Sequence, residues 1–149
     1  MFKKTLIYVG GPTASGKTDL GVQLAKIFKT EIISCDSRQF YKEMTIGTSI
    51  PSMKERKGVT HHFIQHKSIF ENYNAWDFAE DTNSLLKKLF KNKEIVIMLG
   101  GSGLYAKSVI NGLDYFPKVP LSVKNKIEKI YHQSGIESLK NMLSNVDPI

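Results

Sequence analysis

The segment that decides the fold is Gly11-Pro12-Thr13-Ala14-Ser15-Gly16-Lys17-Thr18 (GPTASGKT). Its spacing is that of the phosphate-binding pattern G-x-x-x-x-G-K-[ST], in which the glycines let the backbone curl and turn consecutive N–H groups toward an anion. In this pattern Lys17 supplies a charge to the terminal phosphate, and the Thr18 hydroxyl is placed to ligate Mg²⁺. The segment follows an apolar run and precedes a helical pattern, which disfavours an ordinary glycine-rich turn. The sequence therefore predicts a binding site for a di- or triphosphate.

The elements on either side of this glycine loop (residues 11–18) predict an α/β fold. Residues 5–9 form a compact apolar run that is typical of a buried strand, and apolar residues at helical spacing predict a helix from Lys17 to Phe28. Residues 31–35 (EIISC) predict a second strand. Because a short helix connects the two strands, we expect them to be parallel, in a P-loop NTPase-like sheet flanked by helices.

The middle of the chain predicts a loop-rich segment and then a helix. Residues 41–70 contain Gly, Pro and His but little periodicity, and we expect loops with one short strand near residues 62–64. Asn74, with Asp77 three residues later, forms an approximate capping box that predicts a helix reaching Phe90.

The last third of the chain predicts another strand and helix, followed by a separate helical part. Residues 95–99 (IVIML) are a third buried strand, and a helix is expected from about residue 102 to Gly112. Residues 114–120 include two prolines and are typical of a hinge-like connection. Beyond them, apolar residues at helical spacing predict two short amphipathic helices, the start of a helical subdomain.

Composition excludes several classes of protein. The 149 residues are 41% hydrophobic and 23% charged, which is enough for one domain with a real core. No apolar run approaches the roughly 20 residues that a membrane span needs. The single cysteine, Cys35, excludes an internal disulfide framework and suits a reducing cytoplasm. The net charge of +7 permits a polyanionic partner without identifying one.

Asp36 is the acidic residue that we expect beside the glycine loop. It directly follows the second strand, and the carboxyl ends of parallel strands meet at one edge of the sheet. The third strand instead runs into Gly100-Gly101-Ser102, without the Mg²⁺-coordinating acid that nucleotide hydrolases usually place there. Asp36 could serve as a metal ligand through water or as a general base. The structural alternative is a turn former or helix cap.

The motifs taken together resemble one family, the tRNA dimethylallyltransferases (tRNA isopentenyltransferases). Beside GPTASGKT, the resemblance rests on DSRQFYKEMTIGTSIP (36–51), HHF near residue 62, YNAWDFAED (73–81), GGSGLYAKSVINGLD (100–114) and VDP (146–148). It covers essentially the whole chain and corresponds to the N-terminal half of the family's proteins. We therefore expect an incomplete catalytic core at residues 1–117 and the start of a helical tRNA-binding subdomain at residues 118–149. The isolated chain is expected to bind pyrophosphate weakly and to transfer the allyl group poorly or not at all.

The resemblance implies transfer of a dimethylallyl group from its pyrophosphate to N6 of an adenosine beside the tRNA anticodon. By resemblance, Thr13 and Lys17 join the glycine loop in holding the pyrophosphate, with Mg²⁺ on Thr18. Asp36 is the candidate base for the N6 proton, and the adenine must leave its stack to reach the site. From the single cysteine and the short apolar runs we expect a cytoplasmic protein without a membrane span, and we expect a monomer.

By resemblance, the tRNA contacts are Asp36, Ser37, Arg38, Gln39, Ser102 and Lys124. Gln39 could pair with an adenine edge through one donor and one acceptor. The family most often has Thr where this chain has Ser102, which keeps the hydroxyl, and often Arg where it has Lys124, which loses bidentate geometry.

Three other functions remain open at this point. A small-molecule kinase would use ATP at the same glycine loop, with Asp36 as the acceptor base. An adenylate isopentenyltransferase would modify a free nucleotide, and a non-catalytic remnant would only bind RNA. Outside the motifs, His61, His62 and His66 lack a completing ligand for a metal site, and Cys35 is expected to be a small buried hydrophobe.

Overall fold

The computed structural model describes residues 3–114, 117 and 119–148. Contacts divide the chain into two compact units, Met1–Leu113 and Asp114–Ile149. The domain boundary that we expected at residues 117 and 118 stays a prediction, and Lys118 lies outside the described residues. Within those residues, no helix is both long enough and apolar enough to cross a membrane.

The first unit is a parallel sheet with helices, as the sequence predicted. Its strands are β1 (Thr5–Gly10), β2 (Ile32–Ser34), β3 (His61–His62) and β4 (Ile95–Gly100). Its helices are α1 (Lys17–Ile27), α2 (Met53–Arg56), α3 (Ala75–Leu89) and α4 (Gly103–Ile110). The strand order is β1-β4-β2-β3, and every pairing is parallel. The predicted α/β class is therefore confirmed.

The core lies on both faces of β4, which is buried along most of its length. Val96 and Met98 pack on one face with residues of α3 and α4, whereas Ile97 and Leu99 pack on the other with α1. This alternation is the period of two that a strand imposes. Because parallel sheets are covered on both faces, the strand has the continuous apolar sequence that marked it as buried.

Two local predictions differ from the structure in the middle of the chain. The short strand that we expected near residues 62–64 is shorter and earlier, at His61–His62. A four-residue helix, α2, was not predicted, because it is too short to show periodicity. It begins with a capping box in which Ser52 and Glu55 bond each other's backbone N–H groups. The capping box predicted for α3 is confirmed, with Asn74 and Asp77 both bonded.

The second unit is built on α5 (Leu121–Val146). The sequence predicted two short helices here, and the structure has a helical run that is interrupted at Gly135, with φ 71° and ψ −176°. Glycine adopts this positive φ without the steric cost of a side chain. No residue of α5 among those described is fully buried.

β4 and the end of β2 approach each other too closely for a side chain at Gly100. A Cβ atom added to Gly100 would lie 1.9 Å from the carbonyl oxygen of Cys35. The Cys35 N–H donates to the Leu99 carbonyl at 2.7 Å, and the Ser102 N–H donates to the Cys35 carbonyl at 3.2 Å. Gly100 is therefore required where the two strand ends meet.

The half-buried ring of His66 makes the stability of the fold dependent on pH. Its ring packs against Phe40, Phe63 and Tyr73, and both ring nitrogens are shielded from solvent. Burial lowers the pKa of His66, and nearby Lys67 adds to the effect, while Asp81, Glu71 and a backbone hydrogen bond at Phe63 oppose it.

We expect the free energy of unfolding to fall as pH is lowered from 7.5 to 5.5. The unfolded chain takes up a proton at a pKa of about 6.5, whereas folded His66 resists it, so the stability present above that pH is progressively lost below it. Urea unfolding of a His66→Phe variant should show a smaller loss over this range. The exposed His132→Gln variant is the control, and an unchanged pH dependence in His66→Phe would contradict the assignment.

Candidate functional site

The glycine loop has the curled backbone that its sequence predicts. Gly11, Ala14 and Gly16 all have positive φ values, of 154°, 62° and 79°. Gly16 is also the N-cap of α1, and no side chain caps that helix. The first N–H groups of α1 therefore remain available to an anion, and the helix dipole adds a positive potential there.

Lys17 and Thr18 lie in the first turn of α1 and border the same open space. Lys17 Nζ donates to the carbonyl oxygen of Pro12, which holds the ammonium over the loop. Both side chains line a cleft of about 490 Å³, which we call the loop cleft. It lies between residues 13–19, the end of β2, and residues 49–55.

A second cleft, of about 460 Å³, lies beside the turn that follows β2, and we call it the turn cleft. Its walls come from four parts of the chain, namely residues 11–13, 36–38, 47–49 and 101–102. The two clefts share three lining residues, Thr13, Asp36 and Ser49. The sequence predicted Thr13 and Asp36 as site residues, whereas Ser49 was missed because nothing in its own type or spacing indicates a site.

Asp36 is the carboxylate that borders both clefts. Asp19 and Glu55 also line the loop cleft, but each is engaged by neighbouring side chains. Lys57 and Gln23 bond Asp19 and lower its pKa, and the Ser52 hydroxyl and N–H do the same for Glu55. Asp36 Oδ1 accepts from the Arg38 N–H at 3.1 Å. Its carboxylate is thereby oriented by the turn.

Gln39 lines the loop cleft, but both ends of its amide are used within the protein. Ser34 Oγ donates to Gln39 Oε1 at 2.9 Å. Gln39 Nε2 donates to the carbonyl oxygens of Thr48 and Ser49, at 3.2 Å and 3.0 Å. Ser49 has a positive φ of 50°, which is unusual for a residue other than glycine. In this conformation Gln39 holds the backbone between the clefts and is not free to pair with an adenine.

The remaining predicted tRNA contacts fall in two places. Ser37 and Ser102 line the turn cleft and bond each other, while the side chain of Arg38 is exposed at its edge. Lys124 is exposed and belongs to the second unit, in α5. The structure therefore groups the predicted site residues of the first unit around the two clefts, and it places Lys124 in the other unit.

The donor set for a metal ion is small. Across the described ranges, no group of three or more His, Cys, Asp or Glu side chains could hold a metal. The Thr18 hydroxyl, at the edge of the loop cleft, is a suitable oxygen ligand for a Mg²⁺ ion that takes its other ligands from phosphates and water. Burial raises the pKa of the Cys35 thiol to about 12, so this neighbour of Asp36 stays protonated.

The sequence matches a known family along most of its length. A profile of the IPP transferase family matches residues 39–149. This match begins after the glycine loop, so it does not depend on a motif that many phosphate-binding proteins share.

Two similar proteins are both named tRNA dimethylallyltransferase. The chain is 49% identical to a tRNA dimethylallyltransferase of Flavobacterium johnsoniae over 97% of its own length and 47% of that protein. It is 50% identical to a tRNA dimethylallyltransferase of Flavobacterium psychrophilum, over 95% of its length and 46% of that protein. The chain thus spans about half the length of the curated relatives it matches.

Two solved structures share its fold. The tRNA isopentenylpyrophosphate transferase of Bacillus halodurans superposes with a TM-score of 0.73 at 33% identity, covering 98% of this chain and 48% of that one. A eukaryotic dimethylallyltransferase acting on tRNA gives 0.81 at 28% identity, covering 98% of this chain and 36% of that one. Profile, relatives and structures agree, and the chain belongs to the IPP transferase family.

Proposed function

We propose that this protein transfers a dimethylallyl group from dimethylallyl pyrophosphate to the exocyclic N6 of an adenosine beside the tRNA anticodon. The observation that carries the proposal is that Asp36 borders two clefts, one of which contains the glycine loop. A transferase needs a place for a donor and a place for an acceptor, with the reacting groups where the two meet. The names of the similar proteins favour tRNA as the acceptor.

The loop cleft is suited to the donor. Ionisation of an allylic pyrophosphate leaves a delocalised carbocation, and the protein must stabilise the departing pyrophosphate. Here the N–H groups of the curled loop, the Lys17 ammonium and the Thr13 hydroxyl would bind it. Mg²⁺ held by Thr18 would neutralise further charge on the phosphates.

The turn cleft is suited to an adenine that has left its stack. In the transfer, the bond between the allyl carbon and the pyrophosphate oxygen breaks, and a bond from N6 to that carbon forms. The N6 proton moves to a carboxylate oxygen of Asp36 as that bond forms, which assists an exocyclic amine whose lone pair is delocalised into the ring. Arg38 and Lys124 would contact the tRNA backbone.

We place this reaction in the cytoplasm and expect a monomer.

Replacing Lys17 with alanine should weaken binding of the allylic donor by about tenfold or more, because a charged hydrogen-bond donor to phosphate is lost. Isothermal calorimetry with dimethylallyl pyrophosphate and Mg²⁺ measures this directly. Lys26→Ala, at the exposed end of the same helix, is the control and should bind like the wild type.

Donor choice separates this function from a kinase. Calorimetry with ATP and ADP, run beside the allylic donor, should show preference for the allylic pyrophosphate. Tight ATP binding without any response to that donor would overturn the proposal. The product is tested by mass spectrometry of tRNA from cells in which this chain replaces their own enzyme. Dimethylallyl-adenosine would support the proposed function, and only a low yield is expected because the chain spans about half the length of its relatives.

A further inference from the structure

Ser102 stands at the N-cap of α4, but its hydroxyl does not cap that helix. Serine at this position ordinarily accepts a hydrogen bond from an N–H group of the first helical turn. Here Ser102 Oγ instead accepts from the Ser37 N–H at 2.9 Å and donates to Ser37 Oγ at 3.2 Å. The Ser102 hydroxyl therefore bonds the turn that carries Asp36 and leaves the N-terminus of α4 without a side-chain cap.

The backbone around Ser102 is bound to the same turn. The Ser102 N–H donates to the Cys35 carbonyl at 3.2 Å, and Cys35 Sγ lies 3.7 Å from the Ser102 carbonyl oxygen. Contacts with Ser102 thus hold the residues on both sides of Asp36. On the far side, the Arg38 N–H bonds the Asp36 carboxylate itself.

We propose that Ser102 is a positioning residue, which fixes the turn from Asp36 to Arg38 and so aims the Asp36 carboxylate at the point where the two clefts meet. This inference rests on the proposed function, in which Asp36 takes the N6 proton. It replaces the direct tRNA contact expected at Ser102 with a role that acts through Ser37. The hydroxyl proton and one lone pair of Ser102 are already used by Ser37.

Amide hydrogen exchange tests the positioning role without any need for catalysis. In ¹⁵N-labelled protein, Ser102→Ala should speed exchange of the Ser37 N–H by about tenfold and that of the Arg38 N–H in the same direction, because a hydrogen-bond acceptor is removed. Ser102→Thr keeps the hydroxyl and should restore slow exchange. Ser84→Ala, an exposed serine on α3, is the control and should leave both amides unchanged. Unchanged exchange at Ser37 in Ser102→Ala would overturn the inference.

Kinetics then distinguishes positioning from direct contact with RNA. With an anticodon stem-loop as acceptor, Ser102→Ala should lower kcat by about tenfold and leave KM for the RNA unchanged, and Ser102→Thr should restore kcat. A raised KM with normal kcat would show direct contact and overturn the positioning role. If the wild-type chain transfers nothing, that result concerns the proposed function and not Ser102, whose role the exchange experiment still decides.

Discussion

Gly100→Ala is expected to destabilise the first unit by about 3 kcal/mol or more, which is a large fraction of the roughly 5–15 kcal/mol by which a typical domain is stable. The added Cβ would lie 1.9 Å from the Cys35 carbonyl oxygen, which is backbone and cannot rotate away. Relief requires β4 and the end of β2 to separate, and both are buried. Chemical denaturation followed by circular dichroism measures the loss.

Gly103→Ala provides the matched control three residues later. Apart from its chain neighbours and the backbone of its own helix, no described atom lies within 4 Å of a Cβ added there. Its φ is not in the left-handed region, and it is the first residue of α4. Its stability should equal or slightly exceed that of the wild type, since alanine is the better helix former. If Gly100→Ala unfolded at the same denaturant concentration as Gly103→Ala, the close approach of the two strands would be wrong.

Asp36→Asn is expected to lower the rate of dimethylallyl transfer by about 10²- to 10⁴-fold, the usual contribution of a general base. Asparagine keeps the shape of the side chain and can still accept from the Arg38 N–H, but it cannot take the N6 proton. Affinity for the allylic pyrophosphate should stay within about twofold of wild type, because in the proposed arrangement the glycine loop and Lys17 hold the phosphates. Single-turnover transfer and donor calorimetry on the same preparation measure the two effects.

Two results would separate the roles open to Asp36. If Asp36→Asn lowered the affinity for the allylic donor as much as it lowered the transfer rate, Asp36 would be a ligand of the donor's Mg²⁺ through a water molecule. If the rate were unchanged, the carboxylate would only stabilise its turn, and proton removal would need another group. The exposed Glu80→Gln variant of α3 controls for the loss of one negative charge and should transfer like the wild type.

The sequence predicted the parts of the site that depend on local chemistry. The glycine loop is a contiguous motif, and its positive φ values and uncapped helix follow from residues 11–18 alone. Asp36 was predicted beside that loop because parallel strands end at one edge of the sheet. The same rule places Gly100 and Ser102 there, at the end of β4.

The sequence could not predict which polar groups bond one another across the site. The sequence allowed Gln39 to pair with an adenine edge, but its amide bonds Ser34, Thr48 and Ser49, and the last two depend on how residues 44–51 fold back. No periodicity marks residues 44–56, so the sequence predicted neither α2 nor the place of Ser49 in the lining of both clefts. Ser102 has the right residue type for a helix cap, and only the tertiary contact with Ser37 shows that it does something else.

The strand order has a consequence for how the site comes into being during synthesis. β4 lies between β1 and β2 in the sheet, although it follows both in the chain. A nascent chain that has emerged only as far as α3 holds the glycine loop and Asp36 on two strands that lack the partner between them. The loop cleft and the turn cleft can therefore form only after β4 has inserted. Because insertion of β4 joins segments that are far apart in the chain, we expect the site to assemble late in folding. Until then the apolar edges of β1 and β2 are exposed and can be bound by chaperones.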